Sequence, residues 1–338
     1  MGQNPVETSE IRRSALCQQA TFSCTHKWDL AYHLAGAGHE PSFARNDKDI
    51  WVMEWSALHR ARLDGVELPY VEHGKGEPVV LVHGSNADHR IWDRHREIIS
   101  SHYRVIAMSQ RYFGIDPWPD NGEKFCISVH ANDLGAFVQG LRVGPVTIIG
   151  WSYGGAVSLA MATQNRELVK RMFLYEPSLT TFVTVPEDAK AVLEDILAMM
   201  HAAKKLADSR DLAGAVRLLM DDVNAEIGAF DRLAPEVKAM MTENARMLPL
   251  LFAGPPPPSI TATELRGLKI PITIALGQDS RACYRIAAHA TQALLPFARL
   301  TIVENAKHLW PIQETHAFSR LVLNFLEHDR PMQPIDRL

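Results

Sequence analysis

The amino-acid sequence predicts an α/β protein with a mostly parallel, mixed sheet. Three observations support this fold class. Short apolar runs of about four to six residues alternate with helical stretches of about 11 to 14 residues, which is the pattern of repeated βαβ units. A predicted β-hairpin precedes the alternation and makes the sheet mixed. One long helical segment without a convincing strand then interrupts the alternation.

The predicted hairpin joins Ala57–Leu63 to Leu68–His73. Asp64-Gly65 lies between them, and Asp-Gly is a strong hairpin signal because it tolerates the positive φ angles of a tight turn. The buried strands that follow are Pro78–Val82, Val105–Met108, Val146–Ile149, Met172–Tyr175, Ile272–Leu276 and Leu300–Val303. The helices predicted between and after them are His89–Ser100, Val129–Leu141, Tyr153–Asn165, Arg285–Leu295 and Thr315–His328.

The interrupting segment runs from Pro177 to Pro258 and ends in four consecutive prolines. Its apolar residues recur at helical spacing. We interpret residues 177–259 as a helical lid inserted into an α/β core formed by residues 56–176 and 260–330. Methionines in this segment are typical both of an adaptable apolar pocket and of ordinary core filling. They are Met199, Met200, Met220, Met240, Met241 and Met247.

Residues 1–50 differ from the rest of the chain. They are rich in polar and small residues and show no sustained period, so they predict a flexible or loosely docked amino-terminal extension. Arg12 and Arg13 resemble the start of a twin-arginine signal. No apolar stretch follows them, which disfavours export, and a cytoplasmic location is expected.

Composition excludes several classes of function. The formal net charge of −4 argues against a nucleic-acid partner, which calls for a basic domain. No apolar run approaches the roughly 18 residues of a membrane span. The four cysteines lack Cys-x-x-Cys pairs, and the His and Asp residues of the first helix lack zinc-site spacing, so no metal is expected. The expected partner is a small-molecule substrate, and a homodimer is left open.

The strongest local signal is Gly-Trp-Ser-Tyr-Gly at residues 150–154, between a predicted strand and a predicted helix. A serine on so sharp a turn presents its hydroxyl above the sheet edge, where the amides of the helix point. The small glycines allow the turn to close. The motif therefore predicts Ser152 as a nucleophile.

Two further motifs fit this nucleophile. His83-Gly84 ends an early strand, from which a loop can supply an amide to an oxyanion hole. We predict the amides of Ser85 and Tyr153 as the donors, and we interpret His83 as a buttress of its loop. His308 follows the last predicted strand and is the predicted general base, because the chain order is then serine before histidine.

Together, Gly150–Gly155, His83-Gly84 and His308 resemble the α/β-hydrolase superfamily, over residues 57–326. The resemblance implies the α/β-hydrolase fold, with a mixed eight-stranded sheet and helices on both faces. It also implies a lid inserted after the sixth strand, and a Ser–His–acid triad that works without a cofactor.

The sequence leaves two candidates for the acid. Most members of the superfamily carry it after the seventh strand as Gly-x-x-Asp, but this chain has Gly277-Gln-Asp279-Ser280, with Asp279 one residue early. Other members carry the acid after the sixth strand, where this chain has Glu176. Either carboxylate could hold the imidazole tautomer and stabilise the imidazolium. Glu176 is preferred, and Asp279 is the alternative.

The expected activity is that of a serine hydrolase acting on a small or medium, largely apolar ester or lactone. Carbon–carbon bond hydrolases of ring-cleavage products and cofactor-free haloperoxidases or perhydrolases share the same triad, and the elbow motif does not separate them. A ligand-binding relative without turnover is a further alternative. The intact Ser152 and His308 argue against it.

Overall fold

The computed structural model describes residues 39–45, 51–63, 65–255, 260–295 and 297–328 of the 338-residue chain. The chain forms two compact units, residues 1–58 and residues 59–338. In the first unit, strands β1 (His39–Arg45) and β2 (Trp51–Ala57) pair antiparallel.

This first pair of strands is not among the elements predicted from the sequence. The β1 segment, His-Glu-Pro-Ser-Phe-Ala-Arg, has neither an apolar run nor a regular alternation of polar and apolar residues. Local periodicity therefore does not predict this strand. Most of the predicted amino-terminal extension lies outside the described residues.

The second unit is built around an eight-stranded sheet. Its strands are β3 (His59–Leu63), β4 (Val66–His73), β5 (Pro78–Val82), β6 (Arg104–Met108), β7 (Val146–Trp151), β8 (Val169–Tyr175), β9 (Ile272–Gly277) and β10 (Ala298–Val303). They lie in the order β10-β9-β8-β7-β5-β6-β4-β3. β4 is antiparallel to both of its neighbours and all other pairs are parallel. The predicted mixed, mostly parallel sheet is confirmed.

The second unit also contains helices. They are α1 (Asp93–Ile99), α2 (Ile127–Leu141), α3 (Tyr153–Gln164), α4 (Pro186–Asp208), α5 (Leu212–Val223), α6 (Pro235–Asn244), α7 (Leu248–Ala253), α8 (Ala262–Gly267), α9 (Ala282–Leu294), α10 (Trp310–Gln313) and α11 (Thr315–His328). Each of the five helices predicted around the core strands is present. The first begins with a 3₁₀ turn at His89–Trp92 that leads into α1. Among the described residues, no helix combines the length and apolar character needed to cross a bilayer.

The direction of the strand connections divides the helices between the two faces of the sheet. From β5 the chain passes to β6 on one side, and from β7 it passes to β8 on the other. Right-handed crossovers then place α1 and α3 on opposite faces. Accordingly, α1 packs against α11, and α3 packs against α2. The crevice at the carboxyl ends of β5 and β7, where the direction reverses, is the expected place for a ligand in such a sheet.

The segment between β8 and α8 contains α4 to α7 and no strand in its described part. Helix α4 starts with Pro186 in its first turn, followed by Glu187 and Asp188. The proline has the φ angle of a helix, and the two carboxylates favour the positive end of the helix dipole. Asp211 caps α5 by accepting a hydrogen bond from the Gly214 amide at 2.8 Å. These local signals explain why a long helical insertion follows β8.

Candidate active site

Ser152 occupies the sharp turn between β7 and α3, with φ of 55° and ψ of −118°. A positive φ angle is strained for a residue other than glycine. A Cβ atom on Gly154 would lie 2.4 Å from the carbonyl oxygens of Val82 and His83. The glycine of the motif is therefore required because the end of β5 passes directly against the start of α3.

This close approach makes Gly154→Ala a sensitive test. The added methyl group must displace the Val82–His83 backbone, so we expect a loss of about 1–3 kcal/mol in the free energy of unfolding, measured by thermal or urea denaturation. Gly140→Ala in α2 is the matched control, because its Cβ atom would meet nothing within 4 Å. That substitution should be neutral or stabilising by up to about 1 kcal/mol. Equal stability of the two variants would contradict the close approach.

The strand register brings the loops after β5, β7 and β8 together at one edge of the sheet. Val82 lies opposite Gly150, and Trp151 lies opposite Tyr175. The Ser152 amide donates a hydrogen bond to the Tyr175 carbonyl at 2.9 Å, which ties the elbow to the end of β8. The residues that follow the three strands therefore meet in space although they lie far apart in the sequence.

Ser152, His308 and Glu176 form a continuous hydrogen-bonded chain. The Ser152 Oγ atom lies 3.0 Å from Nε2 of His308, and Nδ1 of His308 lies 2.6 Å from Oε2 of Glu176. His308 is on the loop between β10 and α10, and Glu176 directly follows β8. Both are buried. An imidazole that donates from Nδ1 to the carboxylate leaves Nε2 free to accept the serine proton.

The two candidate acids lie in different surroundings. The second oxygen of Glu176, Oε1, accepts hydrogen bonds from the Gly277 amide at 2.8 Å and from the Ser280 hydroxyl. Asp279 is exposed, and its own amide donates to the Ala306 carbonyl at 3.0 Å. The described residues contain no hydrogen bond between its carboxylate and His308. Glu176 thus contacts the imidazole, and Ser280, in the register where most of the superfamily has its acid, supports the carboxylate.

The predicted oxyanion donors lie beside Ser152. Ser85 and Tyr153 line the same cavity as Ser152. A Cβ atom on Gly84 would be 3.3 Å from the Cβ atom of Ser152, so the loop after β5 runs close to the elbow. Within the described part of the chain, neither the Ser85 nor the Tyr153 amide donates a hydrogen bond. Both donors are therefore available to an oxygen atom in the cavity.

His83 holds this loop in place. Its Nε2 atom accepts a hydrogen bond from the Gln110 amide at 3.0 Å, and its Nδ1 atom lies 2.7 Å from the Gly84 carbonyl. The Gln110 side chain donates to the His83 carbonyl at 2.8 Å. Burial lowers the pKa of His83 to about 4, so the ring is neutral near pH 7. These contacts agree with the predicted role of His83 as a buttress.

A cavity of about 420 Å³ is lined by Ser152 and His308. Its walls on the side of α4 to α6 include four of the six methionines noted in the sequence: Met199, Met200, Met220 and Met241. The cavity is also lined by Phe125, Cys126 and Ile127. None of the residues that line it in the described chain is Asp, Glu, Lys or Arg. The cavity therefore suits an uncharged, apolar ligand.

Two contacts of the site were not predicted from the sequence. The hydroxyl of Ser178 lies 3.1 Å from that of Ser152, and the ring of Tyr284 stacks on the imidazole of His308. Neither residue belongs to a recognisable motif. Ser178 follows Glu176 by two residues, but its approach to the elbow depends on the turn after β8. Among the described residues, no cluster of His, Cys, Asp and Glu is arranged to hold a metal ion.

Comparison with known proteins supports the predicted fold. Residues 77–210 match the family model of the alpha/beta hydrolase fold. The chain is 33% identical over 151 residues to a 2-hydroxy-6-oxo-6-(2'-aminophenyl)hexa-2,4-dienoic acid hydrolase of Metapseudomonas resinovorans. That alignment covers 43% of this chain and 51%, about half, of the relative.

Two longer matches cover most of the second unit. A 2-hydroxy-6-oxo-2,4-heptadienoate hydrolase of Pseudomonas putida is 25% identical over 270 residues, which are 78% of this chain and 93% of the relative. The solved structure of Est816, described as an N-acyl homoserine lactone degrading enzyme, has a TM-score of 0.63 at 18% identity. It covers 79% of this chain and 100% of its own. With its eight-stranded sheet and the match of residues 77–210 to the family model, the chain has the α/β-hydrolase fold.

Proposed function

We propose that the protein is a serine hydrolase that cleaves a small or medium, largely apolar ester or lactone through an acyl-enzyme on Ser152. The observation that carries the proposal is the hydrogen-bonded chain from Ser152 through His308 to Glu176, at the base of an uncharged cavity. A serine, a base in contact with it and a carboxylate that orients the base are the parts that nucleophilic acyl transfer requires.

In the acylation half-reaction, Ser152 Oγ bonds to the acyl carbon while its proton moves to Nε2 of His308. The carboxylate of Glu176 stabilises the resulting imidazolium through Nδ1. The negative charge that develops on the carbonyl oxygen is met by the amides of Ser85 and Tyr153. Collapse of this intermediate breaks the bond to the alkoxy group, which leaves with the proton held by His308.

Deacylation repeats these steps with water. His308 takes a proton from a water molecule as the water oxygen bonds to the acyl carbon, and the same two amides hold the new oxyanion. Breaking the bond to Ser152 Oγ releases the carboxylic acid and returns the proton to the serine. No group outside the site has to supply an electron or a proton.

The lack of charged residues in the described cavity lining favours ester or lactone hydrolysis over carbon–carbon bond hydrolysis. The two curated relatives described above are named for a dienoic acid and a dienoate, which carry a carboxylate. A buried carboxylate without a positive partner is costly. Because the described lining contains no Lys or Arg, a neutral substrate fits this cavity better. Carbon–carbon bond hydrolysis is the second candidate, because the names of both relatives describe hydrolases of oxo-dienoate substrates.

A matched pair of substrates tests this reasoning. The esters p-nitrophenyl pentanoate and p-nitrophenyl hemisuccinate are similar in size, but only the hemisuccinate carries a carboxylate. We expect kcat/KM to be at least about 100-fold higher for the pentanoate, because the cavity offers the carboxylate no partner. The measurement is the initial rate of p-nitrophenol release by purified protein.

Two controls make the comparison specific. Leu193 lines the cavity and is 58% exposed. Leu193→Lys therefore places a positive charge at the edge of the cavity and should reduce the difference in kcat/KM between the two esters. A 2-hydroxy-6-oxo-dienoate, offered in parallel, represents the carbon–carbon substrates. Faster turnover of the dienoate than of every ester and lactone in the panel would replace the ester assignment with the second candidate.

A further inference from the structure

Tyr284 makes the closest ring contact of the site. It belongs to α9, and its ring lies almost parallel to the imidazole of His308, with 4.0 Å between the centroids and 5° between the planes. The tyrosine is buried, with 6% of its surface exposed. Its face therefore covers one face of the imidazole and keeps water away from it.

No other described ring stacks on the imidazole of His308 as Tyr284 does. Its two nitrogens face Ser152 and Glu176 at the edge of the ring. The Trp151 ring is 5.9 Å away and tilted by 42°, so it does not stack. The hydroxyl of Tyr284 donates to the sulfur of Met199 in α4 at 3.6 Å. Tyr284 thus lies between the imidazole and the helical insertion.

We propose that Tyr284 is a positioning residue of the hydrolase: its ring holds the imidazole plane in line with Ser152 and Glu176, and its π-face stabilises the imidazolium that forms when the serine proton is transferred. The proposal rests on the hydrolase function proposed above. An aromatic face attracts a cation that lies within about 6 Å of the ring centroid, and this attraction grows when the pair is buried. The neutral imidazole gains less, so the contact favours the charged form.

The charged side chains near the Tyr284–His308 pair, other than Glu176, are paired with each other and not with the imidazole. Glu176 is the one carboxylate that the described structure places in contact with the imidazole. Arg281 and Asp195 are near Tyr284 but pair with each other. Burial raises the pKa of the neighbouring Cys283 thiol and that of Tyr284, so both are neutral across the working range. On the far side, Lys307 pairs with Glu226.

The pH dependence of the reaction is the decisive measurement. The rising limb of kcat/KM with pH reports the ionisation of the essential base in the free enzyme. Tyr284→Leu keeps an apolar side chain but removes the π-face, so the imidazolium becomes less favourable. We expect the limb to move to lower pH by about half to one unit and kcat on the plateau to fall by about three- to tenfold. Tyr284→Phe keeps the ring and should keep the limb where it is in the wild type.

A series of aromatic replacements at position 284 tests the proposal if the Tyr284→Leu variant does not fold. Replacing Tyr284 with phenylalanine and then with increasingly fluorinated phenylalanines weakens the π-face at nearly constant shape, so the limb should move stepwise to lower pH. Phe325→Leu in α11 is the matched control, because it removes a buried ring that contacts Phe173 rather than His308. It should lower stability and leave the limb in place.

The outcomes separate this proposal from the proposed function. A limb that stays fixed in Tyr284→Leu and in the fluorinated series, while Ser152→Ala lowers hydrolysis by several orders of magnitude, overturns the role of Tyr284 alone. Hydrolysis at the wild-type rate in Ser152→Ala overturns the serine-hydrolase assignment itself. The rate at which a fluorophosphonate probe labels Ser152 at each pH is a second readout, independent of the substrate, and should shift with the same limb.

Discussion

Replacement of Ser152 by alanine is expected to lower ester turnover by about five to six orders of magnitude. The substitution removes the nucleophile and leaves His308 without a proton to accept. The cavity and the amides of Ser85 and Tyr153 stay in place, so slow residual hydrolysis above the rate in water is expected. The measurement is kcat for p-nitrophenyl pentanoate, followed over hours for the variant.

Controls distinguish loss of chemistry from loss of structure. Ser101→Ala changes an exposed serine whose hydroxyl donates to the Ile98 carbonyl, and it should keep wild-type turnover. The melting temperature of Ser152→Ala should stay within a few degrees of the wild type, because the substitution removes one oxygen atom. A fluorophosphonate probe should label the wild type at Ser152 and leave the variant unlabelled. Ester hydrolysis at the wild-type rate in Ser152→Ala would sink the nucleophile assignment.

The second large effect is expected for Glu176→Gln, with a loss of about 10⁴-fold in kcat. The glutamine amide can donate to Nδ1 of His308, which would present its protonated Nε2 to Ser152, and it carries no charge to stabilise the imidazolium. It also disturbs the hydrogen bonds that Gly277 and Ser280 donate to the carboxylate. The measurement is kcat under saturating substrate.

Asp279→Asn is the matched comparison, since it makes the same chemical change at the alternative acid. The Asp279 side chain is exposed, so the variant should keep kcat within about twofold of the wild type. Thermal denaturation of both variants should show folded protein. A larger loss in Asp279→Asn than in Glu176→Gln would reverse the assignment of the acid.

The parts of the site that the sequence predicts well are those with local signals. The elbow around Ser152 is marked by its glycines, because a side chain at Gly154 would strike the end of β5. His308 is marked by its position after the last strand. The hairpin of β3 and β4 is marked by Asp64-Gly65, and Gly65 has the expected positive φ angle of 71°.

The remaining features depend on packing between distant segments. Glu176 and Asp279 both follow strands of the same sheet, and only the paths of the backbone after β8 and β9 decide which of them reaches His308. Glu176 reaches His308 with a φ of 45°, a positive angle that is uncommon for a residue other than glycine and that the sequence does not predict. The stacking of Tyr284 depends on how α9 rests beside β9 and β10. Periodicity describes each element but not these relations.

The position of Glu176 has a consequence for protein engineering. The carboxylate directly precedes the entry into the helical insertion, and Ser178, two residues later, donates its amide to the Ser152 carbonyl at 3.1 Å. Leu179 is fully buried behind them. A chimera that exchanges the helical segment between relatives should therefore be joined after Leu179, because a junction at Pro177 would also exchange Ser178, which contacts Ser152.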